Sequence, residues 1–166
     1  MSLFFVAFFL LYSGIHLYVF LKARTALTPG IATSILTGAI MAFMILAPIM
    51  IRLAEKSGHE GFARVLAYVG YTWMGGILIF FITGILCDLF RLIIYISGLL
   101  SNRDFSWITI AHRLYFITIL TITTLVVVYG IFEARQIKVE HVIIPTDKLS
   151  PQIGKLRIVQ ISDVHL

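Results

Sequence analysis

Four long apolar runs alternate with short polar stretches along this chain, at residues 3–21, 31–51, 65–87 and 114–132. None of these runs contains an Asp, Glu, Lys or Arg side chain. Each has roughly the 20 residues that an α-helix needs to cross the hydrocarbon core of a bilayer. Because lipid offers no hydrogen-bonding groups, a spanning segment must satisfy its backbone within its own helix. The pattern therefore predicts an all-α membrane fold, a bundle of four transmembrane helices over residues 1–134.

The third apolar run and the segment after it carry two further structural signals. Small residues let helices approach closely, and glycines recur in this run at Gly70, Gly75, Gly76 and Gly84. Residues 92–102 are also apolar but too few to cross a bilayer. They either continue the third helix beyond the bilayer or lie along its interface.

The number of crossings predicts the topology but not the orientation. Four crossings place both termini on the same side of the membrane. The loop 52–64, which has mixed charges, then lies on that side together with everything after residue 132. Lys and Arg are equally frequent beside both ends of the bundle, so the positive-inside rule does not choose the cytoplasmic side.

The pattern changes after the fourth run. Residues 136–144 alternate polar and apolar over most of their length, which is typical of an edge strand, and Pro145 ends this strand. A turn-rich stretch comes next, so that residues 135–155 form a linker. Residues 156–161 are rich in β-branched side chains and predict a second strand. The predicted fold is thus a four-helix membrane bundle followed by a short β segment.

Composition agrees with a membrane protein. Of the 166 residues, 60% are hydrophobic and 13% are charged, whereas a soluble domain is about half apolar and a quarter charged. The net charge of +5 belongs in the loops, where it meets anionic lipid, and no array of basic and aromatic residues indicates a nucleic-acid partner. The single cysteine, Cys87, excludes a disulfide framework within the chain.

The second predicted strand runs into the chain's clearest chemical motif, Asp163 and His165. Residues two apart in an extended segment point to the same side. A carboxylate and an imidazole placed together form half of a divalent-metal site. The simpler interpretation is a strand end at which Asp163 caps a turn and His165 lies on the surface.

The segment LRIVQISDVHL, residues 156–166, resembles the first motif of the calcineurin-like metallophosphoesterases. It is most similar to their bacterial membrane-anchored branch, in which SDxHL follows an apolar anchor and a short linker. The resemblance implies an α/β phosphoesterase domain with two divalent metal ions, Mn, Fe or Zn, bound in part by Asp163 and His165. It also implies a bacterial cytoplasmic membrane. Because anchoring would hold the site near the bilayer, we expect a lipid-linked or membrane-proximal phosphoester as substrate.

The chain departs from that family because it contains only the first of the family's motifs. The later Gly-Asp, Gly-Asn-His and Gly-His-x-His motifs do not occur in these 166 residues. We therefore expect a truncated phosphoesterase domain, and no phosphoesterase activity from residues 1–166 alone.

A second candidate site lies in the membrane region. His16 interrupts the first run, Asp88 and Arg91 follow the third, and His112 and Arg113 precede the fourth, all toward one predicted end of the bundle. Ionisable residues within a span are frequently functional, so this polar cluster indicates a pocket for a lipid head group, or an ion or proton site. The chain would then be a small four-helix protein with a binding or transport role. Haem ligation by His16 and His112 is a narrower form of that hypothesis. The simpler interpretation is an interfacial belt in which His16 bonds a neighbouring helix, Asp88 pairs with Arg91, and Arg113 reaches toward the head groups.

Overall fold

A computed structural model describes residues 2–101, 111–136, 142–143 and 157–159. The chain divides into two compact units, residues 1–135 and 136–166. In the second unit the few described residues form neither helix nor strand. Most of the two predicted strands, together with Asp163 and His165, lies outside the described residues.

The first unit consists of long helices at the positions of the four apolar runs. They are α1 (Ser2–Leu27), α2 (Ile31–Lys56), α3 (Glu60–Ser101) and α4 (His112–Ala134). All four are long enough and apolar enough to cross a membrane. The all-α bundle expected from the sequence is confirmed for this unit, and it is compatible with an integral membrane protein.

Successive helices of the bundle run in opposite directions. A tight turn joins α2 to α3, in which Gly58 takes φ +78° and Ser57 donates its hydroxyl to the carbonyl of Leu53. At the opposite end of the bundle, Lys22 near the end of α1 contacts Asp88 of α3, and Tyr115 in the first turn of α4 contacts the same carboxylate. Consequently α1 and α3 run parallel to each other, and α4 runs antiparallel to both.

The bundle has a narrow core and an apolar outer surface. One cluster of buried side chains includes residues from all four helices: Tyr12, Val19, Met41, Ile77, Phe80, Tyr115, Phe116 and Ile119. Outside it, large apolar side chains face outward, such as Leu36 on α2 at 60% exposure and Leu125 on α4 at 64%. Helices that are apolar on all sides while remaining exposed are typical of membrane spans, because lipid covers the outward faces.

Three of the four glycines singled out in α3 lie against another helix. A Cβ atom placed on Gly70 would meet the Cβ of Ala47 at 3.3 Å, and one on Gly76 would meet Val127 at 3.6 Å. Gly84 is the closest contact, because its Cβ would lie 2.7 Å from the hydroxyl of Tyr18. Gly75 has no atom of another residue within 4 Å of that position.

Helix α3 extends beyond the length of a bilayer. Its 42 residues correspond to about 63 Å at the rise of an α-helix, roughly twice the hydrocarbon thickness. The segment after Asp88 continues as helix to Ser101. Of the two alternatives for the apolar residues from 92 onward, continuation of the third helix is therefore confirmed as far as residue 101.

Candidate functional site

The carboxylate of Asp88 joins three helices at one end of the bundle. Lys22 of α1 donates to Oδ1 at 2.5 Å and forms an ion pair with it. Tyr18, one turn earlier on α1, donates to Oδ2 at 2.7 Å, and Tyr115 of α4 donates to Oδ1 at 2.8 Å. The carboxylate thus accepts three hydrogen bonds from α1 and α4, and its side chain remains 33% exposed.

Local sequence explains why these groups meet. The first apolar run ends just before Lys22, and the third ends just before Asp88, so both charges lie where an apolar run ends at the same end of the bundle. Gly84 lies one turn before Asp88 and leaves room for the Tyr18 ring. The hydroxyl of Tyr115 also lies 3.1 Å from the carbonyl oxygen of Gly84. A glycine at this position therefore brings both tyrosines within reach of the carboxylate.

A cavity of about 350 Å³ lies beside this network. Its lining comes from α1, α3 and α4 and consists of Tyr18, Leu21, Lys22, Thr25, Ala26, Arg91, His112, Tyr115 and Phe116. The Arg91 guanidinium lies 5.1 Å from the centre of the Tyr115 ring, and Lys22 Nζ lies 5.1 Å from the same ring. Both distances are those of cation–π contacts, which hold the two cations at the wall of the cavity.

His16 belongs to a separate, buried group. It is 1% exposed, and its Nδ1 donates to the carbonyl of Tyr12 at 2.8 Å. The indole N–H of Trp73 on α3 donates to its Nε2 at 3.0 Å, which assigns the neutral tautomer with the proton on Nδ1. Both ring nitrogens are engaged, and neither is free to ligate haem or a metal ion. His16 precedes Lys22 by six residues and so lies about 9 Å deeper along α1.

The predicted polar cluster is therefore divided. Asp88, Arg91 and His112 come together around or beside the cavity, whereas His16 hydrogen-bonds to Trp73 and Tyr12 instead. Arg113 is exposed on α4 and does not line the cavity. Among the described residues the ion pair of Asp88 is with Lys22, which replaces the expected pair with Arg91.

Sequence reasoning missed three members of this site, Lys22, Tyr18 and Tyr115. Lys22 had the signal that would identify it, a charge directly after an apolar run on the same predicted side as Asp88. The two tyrosines had none, since tyrosines near span ends are ordinary interfacial residues.

The described residues of the first unit contain no candidate metal centre. No group of three or more His, Cys, Asp or Glu side chains that could hold a metal ion occurs among the described residues. Asp163 and His165, the two predicted ligands, are outside that part of the chain.

Comparison of this chain with protein-family models, with curated proteins and with solved structures gave no match. Its function therefore has to be argued from its own residues.

Proposed function

We propose that this chain is the membrane anchor and first metal motif of a metal-dependent phosphoesterase of the calcineurin-like type. The observation that carries the proposal is the segment LRIVQISDVHL, which comes soon after the last of four helices able to cross a membrane. An anchor, a short linker and then a strand ending in Ser-Asp-x-His-Leu is the order that this resemblance requires. The short β segment, with strands at 136–144 and 156–161, is part of the proposal.

The donor set of the motif fits its proposed role. A carboxylate oxygen from Asp163 and an imidazole nitrogen from His165 suit Mn, Fe or Zn. When bound, two such ions supply a nucleophilic water and stabilise the charge on the phosphoryl oxygens. The further ligands of a two-metal site would have to come from chain beyond residue 166, and we expect residues 1–166 alone to be inactive.

The proposed setting is the cytoplasmic membrane of a bacterium. With four crossings, both termini and loop 52–64 share one side of the membrane. Because α4 runs antiparallel to α1 within the bundle, both termini can lie on one side without a fifth membrane crossing. A catalytic centre that comes so soon after a membrane helix in the sequence favours a lipid-linked or membrane-proximal phosphoester as substrate.

The test starts from the reading frame beyond residue 166. We expect it to continue into Gly-Asp, Gly-Asn-His and Gly-His-x-His motifs. The full-length protein should hydrolyse bis-p-nitrophenyl phosphate with Mn²⁺, and Asp163→Asn should reduce the rate by roughly 100-fold or more, as loss of a metal contact does. Asp147→Asn is the matched control, because it makes the same substitution in the proposed linker. A frame without those motifs, or equal rates for the two variants, would refute the proposal.

A second candidate function is favoured by the cavity at the end of the bundle. Lys22, Arg91 and His112 line it, and Asp88 lies beside it. On this hypothesis the chain is a small four-helix membrane protein that binds or transports a ligand through this polar cluster. Its hallmark would be ligand binding by residues 1–166 without any hydrolysis.

A further inference from the structure

The cavity formed by α1, α3 and α4 has the charge and the donors of an anion site. We propose that it binds a phosphate group, and that the head group of an anionic phospholipid is the source nearest to it. This inference rests on the second function proposed above, for which it names the ligand class. It is independent of whether the chain continues into a phosphoesterase.

The balance of charge at the cavity is positive. Lys22 and Arg91 each carry one positive charge, and Asp88 carries the one negative charge of the network. One positive charge therefore remains uncompensated among these three groups. The Asp88 carboxylate does not line the cavity, whereas both cations do.

The hydrogen-bond inventory also favours an anion over a cation. Asp88 already accepts from Lys22, Tyr18 and Tyr115, which leaves it poorly placed to bind a cation. The Lys22 ammonium uses one of its three donors on Asp88, and the two others have no hydrogen-bond partner among the described residues. The Arg91 guanidinium is held over the Tyr115 ring and offers a planar set of N–H donors. Such a fork matches phosphate oxygens in a bidentate manner.

The level of the cavity along the bundle indicates a lipid head group as one source. Lys22 and Asp88 directly follow apolar runs, and His112 begins the helix that enters the fourth run, so the cavity lies where hydrocarbon gives way to head groups. Leu21, Ala26 and Phe116 give its lining an apolar part. A ligand with a phosphate next to an apolar part suits such a lining, and 350 Å³ is at the small end of about 300–1,000 Å³ for ligand sites.

The test measures lipid retention by the delipidated chain in detergent, with native mass spectrometry as the readout. Dioleoyl phosphatidylglycerol and dioleoyl phosphatidylcholine are offered in equal amounts, and inorganic phosphate and glycerol phosphate are tested separately by thermal shift. The test variant is Arg91→Gln, alone and combined with His112→Gln. Lys22 is left intact because its ion pair with Asp88 holds two helices together. The matched control is Arg24→Gln, since Arg24 lies near the same end of α1 and does not line the cavity.

We expect the native chain to retain phosphatidylglycerol in preference to phosphatidylcholine. Arg91→Gln should reduce that preference by about fivefold, the order that one basic side chain contributes to binding an anionic head group, whereas Arg24→Gln should reduce it by less because Arg24 does not line the cavity. The site would also be supported if inorganic phosphate or glycerol phosphate raised the thermal midpoint of the native chain and Arg91→Gln abolished that rise. The source of the phosphate group would then be a soluble ligand. The proposal would be overturned if the native chain neither preferred phosphatidylglycerol nor was stabilised by the soluble phosphates. Equal reductions of the lipid preference by Arg91→Gln and Arg24→Gln would overturn it as well. The assay contains no hydrolysis step, so its failure leaves the phosphoesterase proposal unaffected.

Discussion

Asp88 contributes polar stabilisation to the bundle, because its carboxylate joins α3 to both α1 and α4. Hydrogen bonds to a charged group contribute about 1.5–3 kcal/mol each when buried. The side chains of Asp88 and Lys22 are 33% and 27% exposed, so water and ions screen part of this interaction. In a bilayer the site lies at the interface, where the same partial screening applies.

Replacing Asp88 by Asn should destabilise the folded bundle by about 1–3 kcal/mol, because the ammonium of Lys22 loses its ion-pair partner. The measurement is the thermal midpoint in detergent. Lys22→Gln should be destabilising too, and the double variant less so than the sum of the two. Glu55→Gln on the exposed end of α2 is the control and should change stability by less than about 0.5 kcal/mol. Strict additivity of the two changes would show that the ion pair contributes nothing.

The pair of His16 and Trp73 gives a second prediction at the scale of single residues. Trp73→Phe removes the indole donor and leaves Nε2 of a buried imidazole without a partner. An unsatisfied buried acceptor costs about 1–3 kcal/mol, and we expect a lower thermal midpoint of that order. Tyr68→Phe, on an exposed position of the same helix, removes a polar atom without burying one and should be nearly neutral. Equal midpoints for the two variants would contradict the assigned hydrogen bond.

At the scale of the helices, the glycines of α3 differ in what they contact. Gly84 is covered by Tyr18, whereas Gly75 faces open space. An alanine in a helix interior is favoured over glycine by up to about 1 kcal/mol. Gly75→Ala should therefore be neutral or stabilising.

Gly84→Ala gains the same intrinsic preference but should be destabilising overall. Its new methyl group would lie 2.7 Å from the hydroxyl of Tyr18, which cannot move away without losing its hydrogen bond to Asp88. The measurement is the thermal midpoint of each alanine variant in detergent, compared with that of the native chain. Equal thermal midpoints for Gly84→Ala and Gly75→Ala would contradict the close contact between Tyr18 of α1 and Gly84 of α3.

For the whole molecule, the apolar surface and the helix directions predict a specific membrane topology. The α1–α2 and α2–α3 connections lie at opposite ends of α2, a helix of 26 residues or about 39 Å. With Cys87 replaced by Ser, single cysteines at Thr28→Cys and Ser57→Cys should react with a membrane-impermeant maleimide from opposite sides of sealed vesicles. Labelling of both from the same side would exclude a spanning α2.

Local properties of the sequence were sufficient to predict the four helices. A run of about 20 apolar residues without charge has one stable conformation in lipid, whatever its neighbours are. Small residues in the third run predicted close contacts with other helices, which Gly70, Gly76 and Gly84 make and Gly75 does not. The motif of Asp163 and His165 stays a prediction, because it rests on a short pattern outside the described residues.

Only the tertiary structure decided which polar groups pair. Asp88 pairs with Lys22, 66 residues away, and not with Arg91 one turn along its own helix. His16 was assigned to the same cluster by its predicted side, yet its partner is Trp73. The physical reason is that composition sets how deep a residue lies along a helix, whereas rotation and packing of the helices set which side chains face each other. For this protein the sequence alone determined the four long apolar helices, and the packing of α1, α3 and α4 created the cavity.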